Sequence, residues 1–216
     1  MASDTTTIEN RAALLLKLRT QGIRNTEILR SIEKVPREAF VPHQLADLAQ
    51  RDLPLPIACG QTMTAPSLAA RMLEALDIHR EHRVLEIGTG SGYVTAIIAL
   101  LANHVTSIDR FHTLVAGART RLEQLGIKDA EVICADGLVA ELTGLFDRIL
   151  VHLSLSEAPA RLVGLLAPDG LLVYGHPSGQ GPNLRRIIRN PQGEIEETDH
   201  GACLLPKPIG GVAAAL

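Results

Sequence analysis

The chain has no tryptophan, and aromatic residues make up only 2% of its 216 positions. That scarcity excludes the kind of base-stacking platform that single-stranded nucleic acids need. An excess of positive charge is missing as well. The 21 basic and 24 acidic side chains leave a net charge of −3, so no general basic face is expected and nucleic acid is not an expected partner. The three cysteines, Cys59, Cys134 and Cys203, are odd in number and lack C-x-x-C spacing. This argues against both a disulfide framework and a zinc site, so no metal is expected and a reducing cytoplasm fits best. Long uncharged apolar runs are absent too. The N-terminus is polar and Lys17 interrupts the leucines between positions 14 and 18, so neither a signal peptide nor a membrane span is expected. A soluble, cytoplasmic, unexported monomer is the expectation.

A hydrophobic share of 46% is enough to bury one full core, which suggests a single domain over residues 1–216. Residues 1–50 read as a helical addition to it. Leucines at helical spacing run over 8–21 before Gly22, and Asn25 or Thr26 can cap a second helix reaching about Val35. Pro36 and Pro42 then bracket a pinned connector. A proline-rich loop follows and enters a helix at Pro66, which places Thr62 and Thr64 near a helix N-terminus, where Thr64 could be no more than an N-cap.

The centre of the chain is Arg83-Val-Leu-Glu-Ile-Gly-Thr-Gly-Ser-Gly-Tyr93, a β-branched and aliphatic run that ends in glycines. It predicts a buried strand turning sharply into a helix. Gly88, Gly90 and Gly92 let a ligand lie against the backbone while the amides that start the helix point at it, although a tight turn alone would also call for glycine. The dinucleotide fingerprint requires a glycine where this chain has Tyr93, which argues against NAD. Asp109 closes the next strand, where an acid can accept both hydroxyls of a ribose. A nucleoside-bearing cofactor is the reading that unites them.

Further along, 111–125 reads as a helix and 131–135 as a strand leading into Asp136-Gly137, a pair that could equally cap a turn. Strands are expected at 146–151 and 170–175, with a helix over 157–166 and Pro168-Asp169-Gly170 as a turn. Residues 184–189 and 194–205 read as an antiparallel pair at the sheet edge, and 208–216 as a loose tail. Alternating strands and helices predict an α/β fold with a doubly wound, mostly parallel sheet.

Glu86-Ile-Gly88-Thr89-Gly90-Ser-Gly92 resembles the first motif of class I S-adenosylmethionine (AdoMet) methyltransferases, whose fold is Rossmann-like. The segment before it narrows the resemblance. Val35-Pro36-Arg37, Phe40-Val41-Pro42, Leu55-Pro56-Ile57 and Gly60-Gln61-Thr62-Met63-Thr64-Ala65-Pro66 are similar to the marks of the protein-L-isoaspartate O-methyltransferase family. That resemblance implies AdoMet as cofactor, held by Glu86, Gly88, Thr89, Gly90, Gly92, Asp109, Arg110, Asp136 and Gly137, with Asp136 accepting from the adenine amino group. It also implies repair of peptides or proteins containing L-isoaspartyl residues, by methylation of the α-carboxylate.

In the same family a serine orients that carboxylate, and the matching position here is Thr64, which keeps the hydroxyl donor. Thr62, His152, Ser154, Leu204 and Leu205 are the candidate substrate contacts. The chain departs from the family pattern at Gln50, at His152-Leu153-Ser154 and at Cys203-Leu204-Leu205-Pro206-Lys207. His152 is either a structural histidine at a strand end or, with Ser154 nearby, a base for a hydroxyl acceptor. A different acceptor and a non-catalytic AdoMet-binding module are the competing functions.

Overall fold

The computed structural model describes residues 2–179 and 181–214. It opens with α1 (Ala2–Thr20) and α2 (Thr26–Lys34), and α1 begins earlier than the leucine spacing predicts. The Asn25 side chain caps α2 by accepting from the Glu27 and Ile28 amides, and Ile28, Leu29 and Ile32 form its buried face. Two 3-10 turns, Arg37–Phe40 and His43–Leu48, occupy the proline-pinned connector. A two-stranded hairpin, β1 (Leu55–Pro56) with β2 (Thr62–Met63), leads into α3 (Pro66–Leu76).

Strands and helices then alternate. They are β3 (Arg83–Ile87), α4 (Tyr93–Leu101), β4 (His104–Asp109), α5 (His112–Gln124), β5 (Ala130–Cys134), β6 (Phe146–Ser154), α6 (Ala160–Gly164) and β7 (Leu166–Ser178). The chain closes with β8 (Gly181–Arg189) and β9 (Ile195–Ala202). The large sheet has the order β5-β4-β3-β6-β7-β8-β9, parallel up to β7 and antiparallel beyond it, as the patterning predicts. Its two faces feed two apolar cores. Val84, Val105, Leu150 and Val173 pack beneath α1 to α5, whereas their strand neighbours Leu85, Ile149, Leu172 and Tyr174 pack with Leu162 and Val163 of α6. Among the described residues no helix is long and apolar enough to cross a membrane.

Three expectations need correction. The helix over 157–166 shrinks to Ala160–Gly164, because Pro159 sits at its N-cap and the residues before it stay outside the helix. Pro168-Asp169-Gly170 is not a turn between elements: β7 continues through it, with Asp169 at φ +61° and a register shift between Phe146↔Leu166 and Arg148↔Leu171. Within the stretch 208–216 expected as a loose tail, Gly210, Gly211, Ala213 and Ala214 are tied by hydrogen bonds to Arg110, His112, Thr113 and Asp136. The last two positions of that stretch, 215–216, lie outside the described residues.

β3 has β4 and β5 on one side and β6 onward on the other. In open α/β sheets this switch point is where a crevice forms at the carboxyl ends of the strands. Gly88 follows β3 and His152 lies near the end of β6, so both reach that crevice.

Candidate active site

A cavity of about 1060 Å³ opens there, large enough for a nucleoside-sized ligand and part of a second molecule. Gly88, Thr89, Gly90, Asp109, Arg110, Asp136 and Gly137 line one end of it. Thr62, Thr64, Leu204 and Leu205 line the other, and His152 also faces the space. Glu86, Gly92 and Ser154 do not line it. Glu86 is fully buried beneath, Gly92 packs against Ala118 at the start of α4, and the Ser154 amide donates to Pro206 O at 2.7 Å.

The glycine loop is held by polar groups below it. Glu86 Oε2 accepts from Thr95 Oγ1 at 2.5 Å and from Ser107 Oγ at 2.6 Å, and Ser107 Oγ lies 2.6 Å from Thr89 Oγ1. The other oxygen, Oε1, is 3.0 Å from His152 Nε2, so that nitrogen, facing a carboxylate, donates. Glu86 thus acts through the loop and through His152 rather than by touching a ligand. Gly88, at φ +99°, has no room for a side chain: a Cβ there would stand 2.9 Å from His152 Cβ.

Asp109 joins the loop to the next helix. Its Oδ2 accepts from the Gly90 amide at 2.8 Å and its Oδ1 from the Phe111 amide at 2.9 Å. Burial pushes the Asp109 carboxyl above the usual aspartate range, the two amides pull it back, and the nearby Glu86 charge adds to the rise. Asp136 Oδ1 accepts from the Leu138 amide at 3.1 Å, so the turn-cap reading of Asp136 holds for one oxygen, and Oδ2 accepts from Gly211. Two buried hydroxyls beside the loop, Ser91 Oγ and Tyr93 Oη, have no hydrogen-bond partner among the described residues. Both residues line the cavity, and burial pushes the Tyr93 hydroxyl up to about 12. Bare backbone, a carboxylate at each strand end and unpaired hydroxyls are a donor and acceptor set that fits a nucleoside carrying an amino-acid tail.

The opposite end is built by Arg37. Its guanidinium, 1% exposed, donates to the carbonyls of Ala49, Arg51, Leu53 and Thr64 at 2.8 to 3.2 Å. The side chain also lies over the Tyr93 ring, 5.7 Å from its centroid. The loop before α3 is therefore strung on one buried cation. Thr64 is not the cap of α3: Ala65 holds that position, Pro66 is at the first helical position, and Asp52 accepts from the Ser67 amide at 2.9 Å instead. With capping supplied elsewhere, the Thr64 hydroxyl has no hydrogen-bond partner among the described residues and stays available to the cavity. Arg71 of α3 closes this end by donating to the carbonyls of His200 and Ala202.

The sequence motifs contain Arg37 and Ser91 but assign neither a role. The only hint was a basic residue between prolines, in a segment otherwise reading as buried. Ile209 to Gly211 gave no hint at all.

Comparison with known proteins agrees with this arrangement. Residues 9–205 match the family described as protein-L-isoaspartate(D-aspartate) O-methyltransferase. A protein-L-isoaspartate O-methyltransferase of Rhodopseudomonas palustris (strain BisA53) is 43% identical over 202 residues, 93% of this chain and 94% of that protein. One from Azorhizobium caulinodans is also 43% identical, over 95% of both chains. The crystal structure of a Plasmodium falciparum protein-L-isoaspartate O-methyltransferase, in complex with S-adenosyl-L-homocysteine, superposes with a TM-score of 0.78 at 24% identity, covering 90% of this chain and 96% of that one. At that identity it speaks for the fold. The family match, the relatives at 43% identity and a cavity joining the two motif segments together place the chain in the protein-L-isoaspartate(D-aspartate) O-methyltransferase family.

Proposed function

We propose that this enzyme uses AdoMet to methylate the α-carboxylate of L-isoaspartyl residues in peptides and damaged proteins, giving an ester that can close to a succinimide. The observation that carries the proposal is the single cavity shared by the glycine loop, with Asp109 and Asp136, and the 60–65 segment with its Thr64 hydroxyl. When bound, AdoMet supplies a methyl group already activated on a sulfonium, so the protein contributes orientation and exclusion of water more than acid or base. Gly88 and Gly90 let the ligand approach the backbone, and Ser91 Oγ is a spare hydrogen-bonding group beside them. Asp109 accepts the ribose hydroxyls, and Asp136 the adenine amino group. Thr64 donates to the substrate carboxylate, which is ionised at neutral pH because a carboxyl's reference pKa lies near 4. No catalytic base is needed. The same reading takes the protein as a cytoplasmic monomer whose partner is the isoaspartyl polypeptide.

Two substitutions test the carboxylate mechanism. Thr64→Val keeps the shape and removes the donor, so turnover should fall by about tenfold or more with AdoMet affinity nearly unchanged, as for one hydrogen bond to a charged group. His152→Gln keeps a nitrogen donor for Glu86 and removes the imidazole, and it should leave turnover within about threefold. Steady-state kinetics decide the matter. A turnover about a hundredfold or more lower in His152→Gln, with Thr64→Val near wild type, would favour a hydroxyl acceptor instead.

A further inference from the structure

The family match ends at residue 205, yet the chain continues and returns to the nucleoside end of the cavity. Arg110 Nε donates to Gly211 O at 2.6 Å and its Nη2 to Gly210 O at 3.0 Å. The Gly211 amide donates to Asp136 Oδ2 at 2.7 Å. Ala213 forms a parallel bridge with Phe111, its amide donating to Arg110 O at 2.9 Å and its carbonyl accepting from His112 N at 3.0 Å. Thr113 Oγ1 donates to Ala214 O at 2.7 Å. Ordering a glycine- and alanine-rich terminus costs backbone entropy with little apolar burial in return. These polar bonds are what hold it, and they fall on Arg110 and Asp136 and on the residues that follow Asp109.

We propose that residues 209–214 are a strap that completes the nucleoside pocket, the Gly211 amide fixing the Asp136 carboxylate in the orientation that reads the adenine amino group. The proposal rests on the AdoMet site described above. Leu138 N–H holds Oδ1 and Gly211 N–H holds Oδ2, so the carboxylate is pinned from both ends. Each oxygen keeps a second lone pair, and all that remains to offer a ligand is acceptance. A pinned acceptor pairs with the amino group of adenine and leaves the oxygen of a 6-oxo purine unpaired; without the strap, the carboxylate can turn and the discrimination weakens. Gly211 stands at φ +79°, a conformation proline cannot adopt, and proline also has no N–H to donate.

Titration calorimetry with S-adenosyl-L-homocysteine and its 6-oxo analogue, S-inosyl-L-homocysteine, tests the strap. The full chain is compared with a chain ending at Pro208 and with Gly211→Pro, and melting of the unliganded proteins checks their folding. Both variants should lose about tenfold in affinity for the adenosyl ligand and much less for the inosyl ligand, so that selectivity narrows. Wild-type affinity and selectivity in a folded variant, or tighter adenosyl binding after truncation, would overturn the strap. Failure of the full chain to bind the adenosyl ligand would instead remove the AdoMet site itself, and the strap with it.

Discussion

Asp109→Ala should weaken AdoMet binding by about thirty- to a hundredfold, or roughly 2 to 3 kcal/mol, the value of a charged acceptor lost from paired hydroxyls. The carboxylate also holds the Gly90 and Phe111 amides, so its removal loosens the glycine loop and the start of α5 as well as the proposed ribose contact. Calorimetry on the purified variant measures the loss, and unchanged affinity would take Asp109 out of the site. A pH dependence comes with it. Because burial raises the Asp109 pKa, protonation sets in above the usual aspartate range, and the protonated acid loses acceptor capacity. AdoMet affinity should therefore decline on mild acidification before an exposed aspartate would titrate. For stability the sign is opposite: the folded state binds this proton more tightly than the unfolded chain, so ionised Asp109 opposes folding at neutral pH and that opposition fades as pH falls through the raised pKa.

The second large effect belongs to Arg37. Arg37→Met retains an apolar stem but leaves four carbonyls without their donor, three of them in the loop that ends at Thr64. Removing a charged donor from several buried acceptors should cost about 3 kcal/mol or more, even after crediting the relief of a desolvated cation. For a domain of this size that corresponds to a melting point lower by roughly 6 to 12 °C. Arg37→Lys should recover little, because a single ammonium cannot reproduce the guanidinium's fork. Near room temperature, where Arg37→Met is still folded, KM for the peptide should rise more than the AdoMet dissociation constant, since the loop it holds lies at the proposed substrate end. Calorimetric melting and steady-state kinetics check both parts, and a melting point within a degree of wild type would show that the loop does not depend on this cation.

The sheet and the glycine-loop end of the cavity were largely legible in the sequence because they rest on local patterns. The β3 run, the glycines and Asp109 follow one another closely, and buried parallel strands leave aliphatic runs that cannot be mistaken for polar loops. Arg37 was visible as a motif residue but not as a buried clamp, because its partners are backbone carbonyls spread from Ala49 to Thr64, and carbonyls leave no trace in a sequence. The strap was hidden for the same reason: glycines and alanines carry no periodicity, and its bonds use main-chain groups. The run of β7 past Pro168 could not be foreseen either. Pro-Asp-Gly has turn chemistry, and only pairing with β6 decides that it becomes an irregularity within a strand.

The central claim is that an isoaspartyl carboxylate is the acceptor, and methyl-labelled AdoMet with two peptides tests it most directly. The peptides share one sequence and differ only in whether a single residue is L-isoaspartyl or L-aspartyl. The isomer shifts its carboxylate by one backbone atom, and in-line transfer tolerates such misplacement poorly. The account predicts base-labile label on the isoaspartyl peptide and none above background on the aspartyl one. Equal labelling of both peptides, or of neither by protein that binds AdoMet, would contradict it.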